Sequence, residues 1–263
     1  MEVREKIKNR LTATFDQKKN NLLNIYFTAG FPALEDTGVI LKALEKAGAD
    51  IVEIGMPFSD PMADGPTIQE SGDQALSNGM SLKKLFAQLK DIRKEVKIPI
   101  LLMGYLNTVM QYGIENFIKK AAEVGVDGVI LPDLPVAEYQ EIYRDVFEAH
   151  NLSFIFLVTP QTSAERLKQI DENASGFIYV VSTDSTTGNT KSVKDSEAFL
   201  TRIKDAKLKN PTLVGFNIKD NETFRFANTY ANGAIIGSAF IKMLKNSKNL
   251  ESDIVKFVSE IKG

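Results

Sequence analysis

The chain has 263 residues, 43% hydrophobic and 25% charged, with a formal net charge of −2. That balance is ordinary for a soluble globule and gives no global attraction to nucleic acid or an anionic membrane. There is no cysteine, so disulfides, thiolate nucleophiles and cysteine-bound metals are excluded, and a single histidine, His150, leaves no cluster with metal-ligand spacing.

The first residues, Met1 to Lys8, are charged and lack the apolar stretch of a signal peptide. The longest apolar run, Ile98 to Met103, is far too short to span a bilayer, and a cytoplasmic protein is expected. A short amphipathic helix with Val3, Ile7 and Leu11 on one face opens the chain. Strands then follow at Leu22–Thr28, Asp50–Ile54, Ile98–Met103, Gly128–Leu131, Ser153–Val158, Gly176–Val181, Thr212–Phe216 and Ala234–Ile236. They are apolar throughout rather than alternating, as parallel strands covered on both faces are. Amphipathic segments of helical length separate them: Leu34–Ala47, Leu82–Val96, Ile114–Val124, Val136–Ala149, Ala164–Ile170, Glu197–Ala206 and Glu222–Ala231, with Leu250–Ile261 last. His150 sits where one such helix hands over to a strand and reads as its C-terminal cap.

A helix end, a small-residue turn and a strand recur as Lys46-Ala47-Gly48-Ala49-Asp50-Ile51, Glu123-Val124-Gly125-Val126-Asp127-Gly128 and Tyr230-Ala231-Asn232-Gly233-Ala234-Ile235. The Gly or Asn suits the left-handed position that closes a helix. Eight strands each followed by a helix, without a linker, predict an α/β fold: a single (β/α)8, or TIM, barrel spanning 1–263 as one domain. An extra N-terminal helix and a short helix after strand eight, Ser238–Lys245, complete it. An open doubly wound sheet is the rival, but Thr28-Ala29-Gly30-Phe31-Pro32 is a poor match to the glycine-rich turn such sheets use.

Working residues of a barrel lie at the C-terminal ends of its strands. Strand two carries Glu53 inside an otherwise apolar run, and its loop brings Asp60 and Asp64 among Pro57, Pro61 and Pro66. A carboxyl stranded in low dielectric has a raised pKa, which suits a general acid/base near neutrality, although a plain ion pair with a lysine fits the residue equally well. Strand three leads to Tyr105 and Asn107, strand four to Asp133, and strand six to Tyr179 and the polar stretch 182–190, a candidate lid. Phosphate sites of barrels use the loops after strands seven and eight, here Gly215-Phe216-Asn217 and Gly237-Ser238, where free helix N–H groups meet an anion. A divalent ion held by Asp60, Asp64 and Asp184 is conceivable, without diagnostic spacing.

The stretch Glu53-Ile54-Gly55-Met56-Pro57-Phe58-Ser59-Asp60-Pro61-Met62-Ala63-Asp64-Gly65-Pro66-Thr67-Ile68 resembles the signature of the tryptophan synthase alpha subunits. Supporting pieces are Phe27 to Pro32, Asp127 to Pro135, Gly176 to Tyr179, Thr187-Gly188, Val214-Gly215-Phe216 and Gly233 to Ala239. The resemblance implies a lyase that splits indole-3-glycerol phosphate into indole and D-glyceraldehyde 3-phosphate for tryptophan biosynthesis. By the same resemblance Glu53 is the general acid/base and Asp64 stabilises the indole N–H. Tyr26, Tyr179, Thr187, Gly188, Phe216, Asn217, Gly237 and Ser238 would bind substrate, and no metal or organic cofactor is implied in this chain. Pyridoxal phosphate would belong to a beta subunit, bound through Asp60, Pro61 and Asn107 in an α2β2 heterotetramer.

Three positions depart from the family pattern. Ser185 stands where the lid usually has glycine, Asn217 where Gly-Phe-Gly is usual, and Thr108 where Asn-Pro is usual. These departures leave open a second reading, a subunit that binds ligand and activates its partner with weak chemistry of its own. Another phosphosugar-binding barrel, an isomerase or epimerase, is the reading without the Glu53–Asp64 signature.

Overall fold

Eight parallel strands close on themselves in the order β1-β2-β3-β4-β5-β6-β7-β8, with β8 pairing back onto β1. The computed structural model describes residues 7–62, 64–182 and 193–263. The strands are β1 Leu22–Thr28, β2 Ile51–Gly55, β3 Ile100–Met103, β4 Gly128–Ile130, β5 Ser153–Val158, β6 Ile178–Val181, β7 Thr212–Gly215 and β8 Gly233–Ile236. Each lies within a residue or two of its predicted span, and the closed barrel rules out the open sheet.

The side-chain period of two splits the strands between two cores. One set fills the barrel itself: Leu22, Ile51, Leu101, Ile130, Ile155, Phe177, Tyr179, Leu213 and Ile235. The other set, including Ile25, Val52, Leu102, Val129, Phe154, Val180 and Val214, packs outward against the helices. Burial of each such Val, Leu, Ile or Phe is worth about 1.5–3 kcal/mol, which explains why the strands show no polar face.

The helix that opens the described chain differs from the predicted one. It is α1, Arg10–Gln17, and it buries Leu11 and Phe15 rather than a Val3–Ile7–Leu11 face; Val3 lies outside the described residues. The cause is local: Asn9 and Thr12 form a reciprocal capping box, which starts the helix there. Leu11 and Phe15 then plug the N-terminal end of the barrel, Phe15 lying 5.9 Å from the Phe177 ring. A buried carboxylate bolts this end together. Asp127 accepts from Arg10 at 3.0 Å, from Arg93, and from the Ile100 amide at 3.0 Å, while the Asn9 amide donates to the Asp127 carbonyl at 2.7 Å.

The helices α2 Asp36–Ala47, α3 Pro66–Ser77, α4 Leu82–Leu89, α5 Leu106–Tyr112 and α6 Ile114–Glu123 surround β2 to β4. Two of them, α3 and α5, are absent from the sequence reading. The first has only Ser71, Gly72 and Ala75 buried, and α5 only Val109, so neither shows an apolar stripe. Pro66 at the first position of α3 is the surviving signal. The predicted Leu82–Val96 helix stops at Leu89 and continues as a single 3₁₀ turn at Ile92–Lys94. The predicted Val136–Ala149 helix is α7 Val136–Glu138 and α8 Arg144–Ala149 joined through a π turn at Tyr139–Tyr143, with His150 as the C-cap residue. Helices α9 Ala164–Asn173, α10 Glu197–Asp205, α11 Asn221–Asn228, α12 Ser238–Asn246 and α13 Leu250–Lys262 complete the shell. Among the described residues no helix is long and apolar enough to cross a membrane.

Candidate active site

At the C-terminal end of the strands the apolar filling of the barrel gives way to polar groups. Glu53 lies on β2 opposite Tyr26 of β1 and Leu101 of β3, and it is completely buried. Among the described residues no lysine pairs with it, and its one hydrogen-bond donor is an amide, so the ion-pair alternative finds no support. Its Oε1 accepts from the Asn24 side-chain amide at 2.5 Å, and its Oε2 is buried without a partner. Burial pushes the Glu53 carboxyl up to about 8, against the smaller opposing effect of the Asn24 donor. The group is therefore mostly protonated at neutral pH, yet close enough to its midpoint to give the proton up.

Asp64 enters from the loop between β2 and α3. The Gln69 side chain donates to the Asp64 carbonyl at 2.8 Å and to the Pro61 carbonyl at 3.3 Å, holding the loop to the first turn of α3. Burial raises the Asp64 carboxyl to about 6, and a hydrogen bond from the Tyr105 hydroxyl opposes the rise. Environment thus separates the two carboxyls. Near pH 7 Glu53 holds its proton and Asp64 is ionised, the separation that an acid beside an electrostatic partner would need.

Two tyrosines frame the space between them. The Tyr26 ring lies across Gly55 and beside Gly237: a Cβ on Gly55 would sit 2.1 Å from the Tyr26 Oη, and one on Gly237 3.4 Å from its ring. The Tyr179 ring crosses Gly215 in the same way, with Oη 2.3 Å from a Cβ placed there. Glycine at 55 and 215 is therefore the space the tyrosines occupy. Both phenols are raised by burial first; Asp64 is the next influence on Tyr26, and Glu53 the next on Tyr179, which places these hydroxyls in the field of the carboxyls. The Tyr26 and Thr28 hydroxyls are hydrogen-bonded, and Thr28 Oγ1 meets Ser71 Oγ at 2.6 Å, tying β1 to α3.

The prospective phosphate end lies across β7 and β8. Phe216 and Asn217 both take left-handed backbone, with φ of 71° and 57°. Asn enters that region readily, whereas a phenylalanine there is strained and marks a constrained loop. The Phe216 carbonyl accepts from the Ser182 hydroxyl at 3.0 Å, and the Phe216 ring meets Tyr179 edge-on at 6.5 Å. Helix α12 begins at Ser238 with Gly237 as N-cap and no side-chain cap, which leaves its first-turn N–H groups available to an anion.

Tyr26, Glu53, Asp64, Tyr179, Phe216, Asn217, Gly237 and Ser238 thus all lie at the same end of the barrel. Thr187 and Gly188, with Asp184 and Ser185, lie outside the described residues, and among those described no group of His, Asp or Glu could hold a metal ion. Asp60 is exposed and Pro61 half-buried, both on the loop before α3. Asn107 is exposed on the first turn of α5, a helix rather than the expected strand-three turn. Asp133, short-listed as a working residue, is exposed and holds the start of that helix: both its carboxylate oxygens accept from the Leu106 amide at 2.9 Å. Asn24 escaped the sequence reading, although a lone polar residue two places before Tyr26 in an apolar strand points to the same interior face.

Fold and site define a (β/α)8 barrel with two environmentally distinguished carboxyls at the C-terminal mouth. Residues 12–262 match the family model described as tryptophan synthase alpha chain. The tryptophan synthase alpha chain of Christiangramia forsetii is 55% identical over 248 residues, 94% of this chain and 96% of that one. That of Flavobacterium psychrophilum is 54% identical over 96% of this chain and 99% of its own. Among solved structures, tryptophan synthase subunit alpha from Legionella pneumophila superposes with a TM-score of 0.87 at 36% identity, covering 97% of each chain. Aminoacrylate-bound tryptophan synthase from M. tuberculosis gives 0.85 at 29%, covering 97% of this chain and 98% of that one. The chain belongs to the tryptophan synthase alpha chain family, and so to the lyases of tryptophan biosynthesis.

Proposed function

We propose that the chain, acting as one domain, cleaves indole-3-glycerol phosphate by a retro-aldol reaction into indole and D-glyceraldehyde 3-phosphate. The observation that carries this reading is Glu53: buried, protonatable near neutrality, and with one carboxyl oxygen free of partners. The indole would lie between Tyr26 and Tyr179. Glu53 would protonate the ring carbon that bears the glycerol side chain, giving an indoleninium cation. Asp64 would accept the ring N–H and stabilise the positive charge. The Glu53 carboxylate would then take the proton of the adjacent side-chain hydroxyl. The carbon–carbon bond would break, its electron pair restoring the indole ring as the aldehyde forms. Glu53 gives one proton and takes one back, so the cycle consumes neither metal nor organic cofactor.

The phosphate would rest on the amides of Asn217, Gly237 and Ser238, joined by Gly188, with Thr187 meeting Asp64 as the stretch around it closes. A tryptophan synthase beta subunit carrying pyridoxal phosphate would receive the indole, docking on Asp60, Pro61 and Asn107 in an α2β2 assembly in the cytoplasm. The test is indole release from indole-3-glycerol phosphate by the purified chain, alone and with a beta subunit. Slow release that rises with the partner is expected. Binding of glyceraldehyde 3-phosphate without release in either condition would refute the cleavage and leave a ligand-binding activator.

A further inference from the structure

We infer that Asn24 is a positioning residue for Glu53: its amide holds Oε1, so that the exchangeable proton of Glu53 resides on Oε2 and is delivered from that oxygen. The inference rests on the acid/base reading of Glu53 and adds which atom acts and what fixes it. Three observations carry it. Oε1 accepts from Asn24 Nδ2 at 2.5 Å, and an oxygen accepting a short N–H bond along that line is the carbonyl oxygen of a neutral carboxyl. Oε2 is buried without any partner. Asn24 is itself completely buried on β1, so its side chain cannot swing away to solvent and the contact is enforced by the barrel.

Among the described residues Asn24 is the one hydrogen-bond donor to Glu53. From β1 Tyr26 faces Glu53, from β6 Tyr179 does, and both phenols are held neutral in its field. Asp64 acts on the same two tyrosines from its loop, and the β3 neighbour in register is apolar Leu101. Burial and Asn24 are the two influences on Glu53 itself, and they oppose each other. Burial stores the proton; Asn24 decides where it sits and keeps the conjugate carboxylate attainable within the cycle. Asn24 Oδ1 also lacks a partner, so the orientation of the amide has a testable consequence. With the N–H toward Glu53, Asn24 favours the carboxylate. With the carbonyl toward Glu53, the proton would be pinned on Oε1 and Asn24 would favour the acid.

The experiment titrates Glu53 by carbon-13 NMR of glutamate-labelled full-length chain, the signal being assigned by its loss in Glu53→Gln. In Asn24→Leu, which keeps the volume and removes the donor, the Glu53 midpoint is expected to rise by about half to one pH unit. In the same variant kcat for indole release is expected to fall about tenfold, with KM within about twofold, because the carboxyl loses its orientation rather than its binding pocket. Asn24→Asp keeps the shape and covers the case in which the leucine variant does not fold. There the two carboxyls share one proton and titrate with two separated midpoints. A Glu53 midpoint that is unchanged or lowered in Asn24→Leu, or a single ordinary midpoint in Asn24→Asp, overturns the assignment. Turnover that persists in Glu53→Gln would sink the acid/base reading instead and leave the titration result standing, so the two failures are distinguishable.

Discussion

Glu53→Gln should stabilise the protein while abolishing its chemistry, and the stabilisation should depend on pH in a defined way. The folded chain holds the Glu53 carboxyl at about 8 rather than its ordinary 4.5. In the unfolded chain the group ionises near its ordinary value, so between those two pH values the native state binds the extra proton. Stability contributed by this site therefore falls as pH rises, by about 1.4 kcal/mol per pH unit. The loss begins near pH 4.5, reaches about 3 kcal/mol at pH 7 and levels at about 5 kcal/mol above pH 8. Glutamine keeps a carbonyl oxygen for the Asn24 amide but cannot ionise, and its NH₂ inherits the unpartnered position of Oε2 at a cost of about 1–3 kcal/mol.

The assay is urea unfolding of wild type and variant at half-unit steps from pH 4.5 to 9. The variant should be equal to or less stable than wild type at the acid end. It should overtake between about pH 5 and 7 and lead by a few kcal/mol at pH 8.5, with unchanged denaturant slope. Indole release should drop by about two to four orders of magnitude, the contribution of general acid–base catalysis. A stability difference that stays flat across this range would refute the buried protonated carboxyl, whatever happened to the activity.

Asp64 has the complementary pH signature. Its carboxyl, raised to about 6 by burial, must be ionised to face a cationic ring, so kcat should fall as pH drops through about 6, and Asp64→Asn should remove that limb while lowering kcat about a hundredfold. An acid limb that survives in Asp64→Asn would assign it elsewhere. Gly215→Ala would place a methyl 2.3 Å from the Tyr179 Oη and push the ring into the space between the carboxyls. A rise of about tenfold or more in KM is expected, since the loss is of room for the indole. An unchanged KM would show that Tyr179 has another place to go.

What the chain disclosed in advance follows the range of the interactions involved. Continuous apolar runs and helix-closing glycines are local, so the eight strands and the barrel were legible. Glu53 was legible because a charge inside such a run is improbable by itself. Helices α3 and α5 were not, because Pro66–Ser77 and Leu106–Tyr112 bury few apolar side chains and are held by their ends: Gln69 on the preceding loop, Asp133 on the Leu106 amide. The bond from the Leu106 amide to Asp133 is not legible for the same reason, its partners being distant in sequence. The Asn24–Glu53 bond depends on the pairing of β1 with β2, which places Tyr26 opposite Glu53 and Asn24 one pleat below. No spacing rule reports that register.

The two ends of the barrel answer opposite demands. At the N-terminal end a buried carboxylate, Asp127, is surrounded by donors from Arg10, Arg93 and the Ile100 amide, and Leu11 and Phe15 close the interior. Breaking such a pair by removing one partner costs about 3–5 kcal/mol. At the C-terminal end a second buried carboxyl, Glu53, has one donor and a bare oxygen, two glycines are held to hydrogen by tyrosine rings, and Phe216 stands in strained backbone. Further donors around Glu53 would favour its carboxylate form and weaken it as a proton donor. The partial satisfaction of Glu53 is therefore what the proposed acid/base role requires.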